Sequence, residues 1–426
     1  MTEKLLQFIW KHRYFNQQGL ELITGESLTI EYPGEENKSQ GPDFIHARIR
    51  INGNCWIGSV ELHLFSSGWV KHSHTEDDNY RNVILHVVWK QDRLDITRNI
   101  PQLELRHRIP WLMLETYAGW MQKPVFIPCE QSAGKTDSAK WEKWASRLLV
   151  MRLNRKMRRI LDSLQANRFH WEEQLWWMIA ANFGSPVNTA AFESIARTIP
   201  FSLLARHRLQ FIQLEALFLG QANLLERDFR DPYPVMLKKE YIFLKKKYGL
   251  KEIFEPVHFL RMRPENFPVI RLSQLASLYA GSTALFSWIL SCTSIAELRK
   301  KLLVRANDYW HHHYVFEKKS PFREKMLGLD RCDSIIINSI IPLLYTYGKI
   351  IPDPVSLKKS VSWLEQMPAE QNHFMQGWKR IGIPVKKAAG SQALIELKKQ
   401  YCDQRKCLEC DIGKALLQPR EIGNIF

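Results

Sequence analysis

The sequence predicts an α+β domain over residues 1–130 followed by a mostly α-helical domain over residues 131–426. Three observations lead there. Short runs, alternating or wholly apolar and bounded by Pro, Gly and Asn, fill the first hundred residues, which is the pattern of strands. From about Thr136 apolar residues recur at spacings of three and four, the pattern of helices. The charge divides at the same place: residues 1–130 hold 14 Lys and Arg against 16 Asp and Glu, a net of −2, and residues 131–426 hold 46 against 28, a net of +18.

In order, Lys4 to Phe15 has helical apolar spacing through Leu5, Leu6, Ile9 and Trp10, and Ser27 to Tyr32 reads as a strand ended by Pro33-Gly34. Phe44 to Ile51 and Cys55 to Leu64 flank Asn52-Gly53-Asn54, residues that tolerate the positive φ angles of a tight hairpin. Val83 to Trp89 is almost continuously apolar, as a strand covered on both faces must be, and Gln102 to Arg106 suggests one more strand. Beyond the boundary at Glu130 to Asp137, a helix is expected from Trp141 through Leu164, with Thr136, Asp137 or Ser138 as its cap. Similar spacing continues through Leu203 to Leu225, Leu272 to Leu290 and Ile335 to Leu344.

With 426 residues, 45% of them hydrophobic, the chain has enough apolar surface to order, which excludes collagen-like and wholly disordered classes. No run reaches the roughly 18 to 20 apolar residues of a membrane span, and MTEKLLQF lacks the succession of a signal peptide. A cytoplasmic location with no membrane partner is therefore expected. Seven cysteines, an odd number, favour reduced thiols or metal ligands over a disulfide framework. Walker A, dinucleotide and Gly-x-Ser-x-Gly motifs are missing from the sequence, so ATP-driven, dehydrogenase and elbow-hydrolase chemistries lack support.

Gly41-Pro42-Asp43 opens the first hairpin strand, and Glu61-Leu62-His63 lies 18 residues on, in the second. Glu61 and His63 share a strand face, and the hairpin can bring Asp43 alongside. Two carboxylates so placed suit Mg²⁺ or Mn²⁺, which polarises a phosphodiester and acidifies an attacking water. His63 can assist that water, and Glu3 or Glu21 can complete the site. The loop His72-Ser-His74-Thr-Glu-Asp77 follows directly, and places His74 or Asp77 where they can orient water or contact phosphate.

Pro42-Asp43 and Glu61-Leu62-His63 resemble the motif of the PD-(D/E)xK nuclease superfamily, the restriction-endonuclease-like fold, over about residues 1–110. The order helix, three strands, crossover and buried strand is similar too. That resemblance implies a restriction-endonuclease-like domain with Asp43 and Glu61 as metal ligands. Two departures stand out: His63 replaces the usual Lys, and residues 65–82 are short for the usual crossover helix. The stretches GPDFIHARIRING, GSVELHLFSSGWVKHSH, YRNVILHVVW, RMRPENFPVIRLSQLA and YCDQRKCLECDIG are also similar to an uncharacterised bacterial family known only as a domain of unknown function.

Cys402, Cys407 and Cys410 fall within nine residues beside Lys399, Arg405, Lys406 and Lys414. Thiolates at this spacing suit Zn²⁺ or an iron–sulfur cluster, with Cys129 the preferred fourth ligand. Some nucleases of the resembled superfamily hold a four-iron cluster in this split way. Cys55, Cys292 and Cys332 read as core or incidental thiols.

The basic helical part offers Arg155, Arg158 and Arg159, and then Lys238, Lys239, Lys245 and Lys246, as nucleic-acid contacts. Tyr241 and Phe243, set among Ile242 and Leu244, read as core, and Trp176-Trp177 as packing. His311-His312-His313 reads as a polar helix face. The expected function is a metal-dependent nuclease whose partner is nucleic acid, DNA ahead of RNA. Two alternatives are a catalytically silent nucleic-acid-binding protein and a metalloenzyme acting on a small molecule through His72, His74 and Asp77.

Overall fold

The computed structural model describes residues 1–37, 40–72, 77–93, 100–122, 125–260, 262–282 and 284–418. The chain packs as two compact units, Met1–Trp144 together with the stretch from Leu397, and Ala145–Glu396. The expected division at residue 130 thus moves to 144, and the C-terminal cysteine segment groups with the first unit instead of the helical one.

In the first unit, helix α1 (Glu3–His12) is capped by Thr2, whose side chain accepts from Leu5 N, and it buries Leu5, Leu6, Phe8, Ile9 and Trp10. A mixed sheet follows. Its strands are β1 (Leu28–Tyr32), β2 (Glu35–Glu36), β3 (Phe44–Ile51), β4 (Asn54–Phe65), β5 (Val83–Lys90) and β6 (Gln102–Glu104). The order is β1-β3-β4-β5-β6, with β2 also paired to β3. Asn52 and Gly53 take φ of 46° and 82° and close the β3–β4 hairpin, as their residue types require.

Strand β4 pairs antiparallel with β3 through its first half and parallel with β5 through its second. A parallel partner needs a crossover, here the four-residue helix α2 (Gly68–Lys71) and a short 3₁₀ turn at Asp78–Tyr80. The first six residues of β5 are all buried, as its unbroken apolar run requires of a central strand. A bulge after Phe44 puts three steps on β3 against two on β4, and His46 takes the left-handed position at φ 59°. Helices α3 (Trp111–Gln122), α4 (Glu130–Ala133) and α5 (Ser138–Ala166) come next in the chain.

The second unit is helical around Trp176, fully buried, whose indole N–H donates to the carbonyls of Ala196 and Ile199. The two apolar stretches expected at 203–225 and 272–290 each break into two helices, Phe201–His207 with Phe211–Gln221 and Pro268–Tyr279 with Leu285–Ser291. The unit also encloses charge. Glu396 is paired with Arg152 at 3.4 Å and Arg155 at 2.6 Å, and Lys156 lies against Asn338 and Gln392. Burial, reinforced by Arg152, holds the Lys156 ammonium down to about 7. His311 and His313 are buried, so the triple histidine is not a polar helix face.

Candidate active site

The hairpin turn sets the β3–β4 register, and that register places Phe44 opposite Val60. Asp43 and Glu61 are therefore neighbours across the strands, and each carboxylate accepts a backbone N–H from the opposite strand. The Asp43 backbone N–H donates to Glu61 Oε2 at 3.0 Å, and Leu62 N–H donates to Asp43 Oδ2 at 3.1 Å. From α1, Gln7 Nε2 donates to Asp43 Oδ1 at 2.7 Å. Glu61 is buried, with 6% of its surface exposed.

Burial pushes Glu61 up to about 8, and the neighbouring Asp43 charge adds to the shift. Asp43 is pushed up to about 6 by burial, although the bonds from Gln7 and Leu62 oppose it. Glu3, one helical turn before Gln7, raises both. Among the described residues, the charged neighbours that act most on this pair are acids, so the site is electron-rich. That is the donor set and charge a hard divalent ion would match. Glu21 instead bridges Ser27 by its backbone.

His63 points from the same face of β4 as Glu61, with Nε2 3.7 Å from Glu61 Oε1. Its Nδ1 lies 2.9 Å from His86 Nε2, and the ring is 2% exposed. Nδ1 is thus hydrogen-bonded within the protein, and Nε2 faces Glu61 beyond hydrogen-bond distance. When Glu61 is ionised, the consistent arrangement has His86 donating to His63 Nδ1 and His63 Nε2–H turned toward the carboxylate. His72 packs edge-on against His63, their centroids 5.0 Å apart. Asp77 caps the 3₁₀ turn by accepting from Asn79 N–H, and His74 lies outside the described residues.

Gln7, His86 and Tyr80 belong to this site, although the motif did not point to them. The Tyr80 hydroxyl is pushed up to about 12 by burial and by the charges of Glu61 and Asp43, which keeps it protonated and able to donate. All three come from elements outside the hairpin, so spacing along the strands carries no signal for them.

The four cysteines singled out above gather in the first unit. Cys129 precedes α4, Cys402 ends a turn at Lys398–Cys402, and Cys410 precedes the helix Asp411–Leu417. Among the described residues, no three His, Cys, Asp or Glu side chains are drawn together tightly enough to hold a metal ion as they stand. Cys292 and Cys332 are buried and Cys55 is exposed.

The basic residues of the second unit separate into two groups. Arg155 grips Glu396 through two nitrogens, Lys238 pairs with Asp228 at 2.8 Å and Lys245 with Glu252 at 2.6 Å. Arg158, Arg159, Lys239 and Lys246 are exposed. Phe243 is 57% exposed, contrary to the expectation of a core residue, because it faces out of the helix Pro232–Tyr248 with Ile242. Lys247 Nζ sits 5.4 Å from its ring centroid. Tyr241 is half-buried and donates to Gln221 Oε1 at 2.8 Å.

Among the described residues no helix is long and apolar enough to cross a membrane. No curated protein and no solved structure matches the chain. One family model does match, over residues 3–373, which takes in the whole sheet, the paired carboxylates and most of the helical unit. By that match the chain belongs to the family described as Protein of unknown function (DUF2851).

Proposed function

We propose that the first unit is a metal-dependent nuclease hydrolysing phosphodiester bonds, in DNA ahead of RNA, with a restriction-endonuclease-like arrangement of its strands. One observation carries the reading: the Asp43 and Glu61 carboxylates lie side by side with little exposure, each accepting a backbone N–H across the hairpin, and the charged groups that act most on them among the described residues are acids. Burying two adjacent carboxylates without a cation is unfavourable, and the disfavour ends once a divalent ion is held between them. The chemistry such an ion supplies is polarisation of a phosphoryl oxygen and a lower pKa for the attacking water. Asp43 and Glu61 would hold Mg²⁺ or Mn²⁺, Gln7 fixes the Asp43 carboxylate, and Tyr80 offers a neutral donor to a phosphate oxygen. His63 faces Glu61 and is held in place by its hydrogen bond with His86. The exposed Arg158, Arg159, Lys239 and Lys246 would neutralise phosphates.

The burial of His63, with Nδ1 bonded to His86 and Nε2 facing Glu61, favours a second reading, a catalytically silent nucleic-acid-binding protein, since the ring has almost no surface open to water. Cleavage assays separate the two. The purified full chain is incubated with labelled single- and double-stranded DNA and RNA in Mg²⁺, Mn²⁺ or EDTA. The nuclease reading expects cleavage that needs the ion, with Asp43→Ala and Glu61→Ala each abolishing it while binding stays within a few fold. Affinity should fall by roughly 0.7 to 0.9 log units per log unit of salt for each phosphate neutralised. Salt-sensitive binding without cleavage supports the silent binder, and cleavage by both carboxylate variants at the parent rate removes the metal site.

A further inference from the structure

In the second unit, the helix Pro232–Tyr248 is held in one rotation about its axis. It buries Leu237 and Leu244 completely. Tyr241 lies on Gly220 of the helix Phe211–Gln221, where a Cβ would collide with the ring, and its hydroxyl donates to Gln221 Oε1. Gln213, from the same neighbouring helix, donates to Glu240 Oε2 at 3.2 Å. These contacts fix which side chains face outward. The outward side carries Met236, Lys239, Ile242, Phe243, Lys246 and Lys247, all exposed, at the spacings of three and four that make one stripe on a helix.

The stripe joins apolar surface to uncompensated positive charge. Met236, Ile242 and Phe243 are 37%, 56% and 57% exposed. Asp228 and Glu252 pair with Lys238 and Lys245, which lie off the stripe. Among the described residues, no carboxylate lies within ion-pair distance of Lys239, Lys246 or Lys247. Lys247 Nζ instead sits 5.4 Å from the Phe243 ring centroid and 5.3 Å from that of Tyr248.

We infer that this stripe is a platform for unpaired nucleotides, with a base stacked on the Phe243 ring and the flanking phosphates taken by Lys239, Lys246 and Lys247. Three ammonium groups without carboxylates call for an anionic partner, and a ring left in water calls for a flat apolar one. An unpaired nucleotide supplies both, since every base has a π-face and carries its own phosphate. A duplex keeps its base faces stacked inside and offers only edges and phosphates, so it would answer the lysines and leave Phe243 in water. Lys239 and Lys246 lie four residues before and three after Phe243, so cations bracket the ring along the helix axis. The inference deepens the function proposed above: it rests on nucleic acid being the partner, but on none of the chemistry at Asp43 and Glu61.

The test is fluorescence anisotropy of the full chain with a labelled oligothymidylate and with a duplex of the same length, in EDTA so that affinity is read without cleavage. The single strand should bind at least about 10-fold more tightly than the duplex. Phe243→Ala should weaken single-strand binding by roughly 5- to 150-fold, the range for one lost base stack, and Phe243→Trp should keep it. Phe322→Ala, which removes another exposed ring of the same unit, should change nothing. Lys239→Gln, Lys246→Gln and Lys247→Gln should each lower the slope of log affinity against log salt by about 0.7. Duplex bound as tightly as the single strand, or Phe243→Ala at the parent affinity, overturns the inference. So does sedimentation with anionic phospholipid vesicles that depends on Phe243 in a chain that binds no oligonucleotide, which would assign the stripe to a lipid surface. Single-strand binding of the expected kind without cleavage in Mg²⁺ removes the nuclease and leaves the platform, whereas cleavage with binding indifferent to Phe243 does the reverse.

Discussion

Glu61→Gln isolates the cost of the buried charge from the shape of the side chain. Its folded-state pKa, raised from 4.5 to about 8 by burial and then by Asp43, means that the folded protein keeps a proton the unfolded chain has released. The state that binds more protons loses ground as pH rises, so stability should fall between about pH 4.5 and pH 8, by about 1.4 kcal/mol per unit. Over the 2.5 units to pH 7 this amounts to about 3 kcal/mol. A glutamine amide mimics the protonated acid and can still accept the Asp43 N–H bond. In a chelator, Glu61→Gln should therefore be more stable than the parent at pH 7 and equal to it at pH 4.5. Hydrogen exchange of the β3, β4 and β5 amides reads this in the first unit alone. Added Mn²⁺ should stabilise the parent at pH 7 and leave the variant unmoved. A variant less stable than the parent at pH 7 in chelator would show that Glu61 serves as a paired charge, and the argument for a cation site would fail.

Two further substitutions test neighbouring features. Gly68→Ala puts a Cβ 2.8 Å from the buried His63 ring, which must move away from Glu61 and His86; a loss of about 1–3 kcal/mol in urea unfolding and shifted imidazole nitrogen resonances are expected, and unchanged resonances would mean the ring has room. Glu396→Gln leaves the guanidinium charge of Arg152 and Arg155 without a carboxylate, so the helical unit should lose about 3–5 kcal/mol, measured by exchange of its own amides, and a loss under about 1 kcal/mol would show the pairs to be solvated.

The adjacency of Asp43 and Glu61 was legible because it depends on local facts: two alternating runs and an Asn-Gly turn between them. The continuous apolar run of β5 likewise announced a strand covered on both faces. The bulge at His46 was not legible, since nothing in residues 44–47 marks the extra step. Gln7, His86 and Tyr80 reach the carboxylates only after α1, β5 and the crossover have packed. Partners far along the chain decide which cations face solvent: Arg155 is withdrawn by Glu396, 241 residues away, while Arg158 and Arg159 on the same helix remain exposed. Phe243 misled because apolar neighbours suggest burial, and the helix instead turns Ile242 and Phe243 outward together.

The grouping of the stretch from Leu397 with Met1–Trp144 makes the helical unit an insertion in the first. During synthesis the sheet is made before the helical unit, but the segment carrying Cys402, Cys407 and Cys410 arrives only after Ala145–Glu396 has been made. Domains fold as units while the chain emerges, so the helical unit can finish before the older half of its host is complete. The sheet must wait, with the helix Asp411–Leu417 missing, until the whole helical unit has been made.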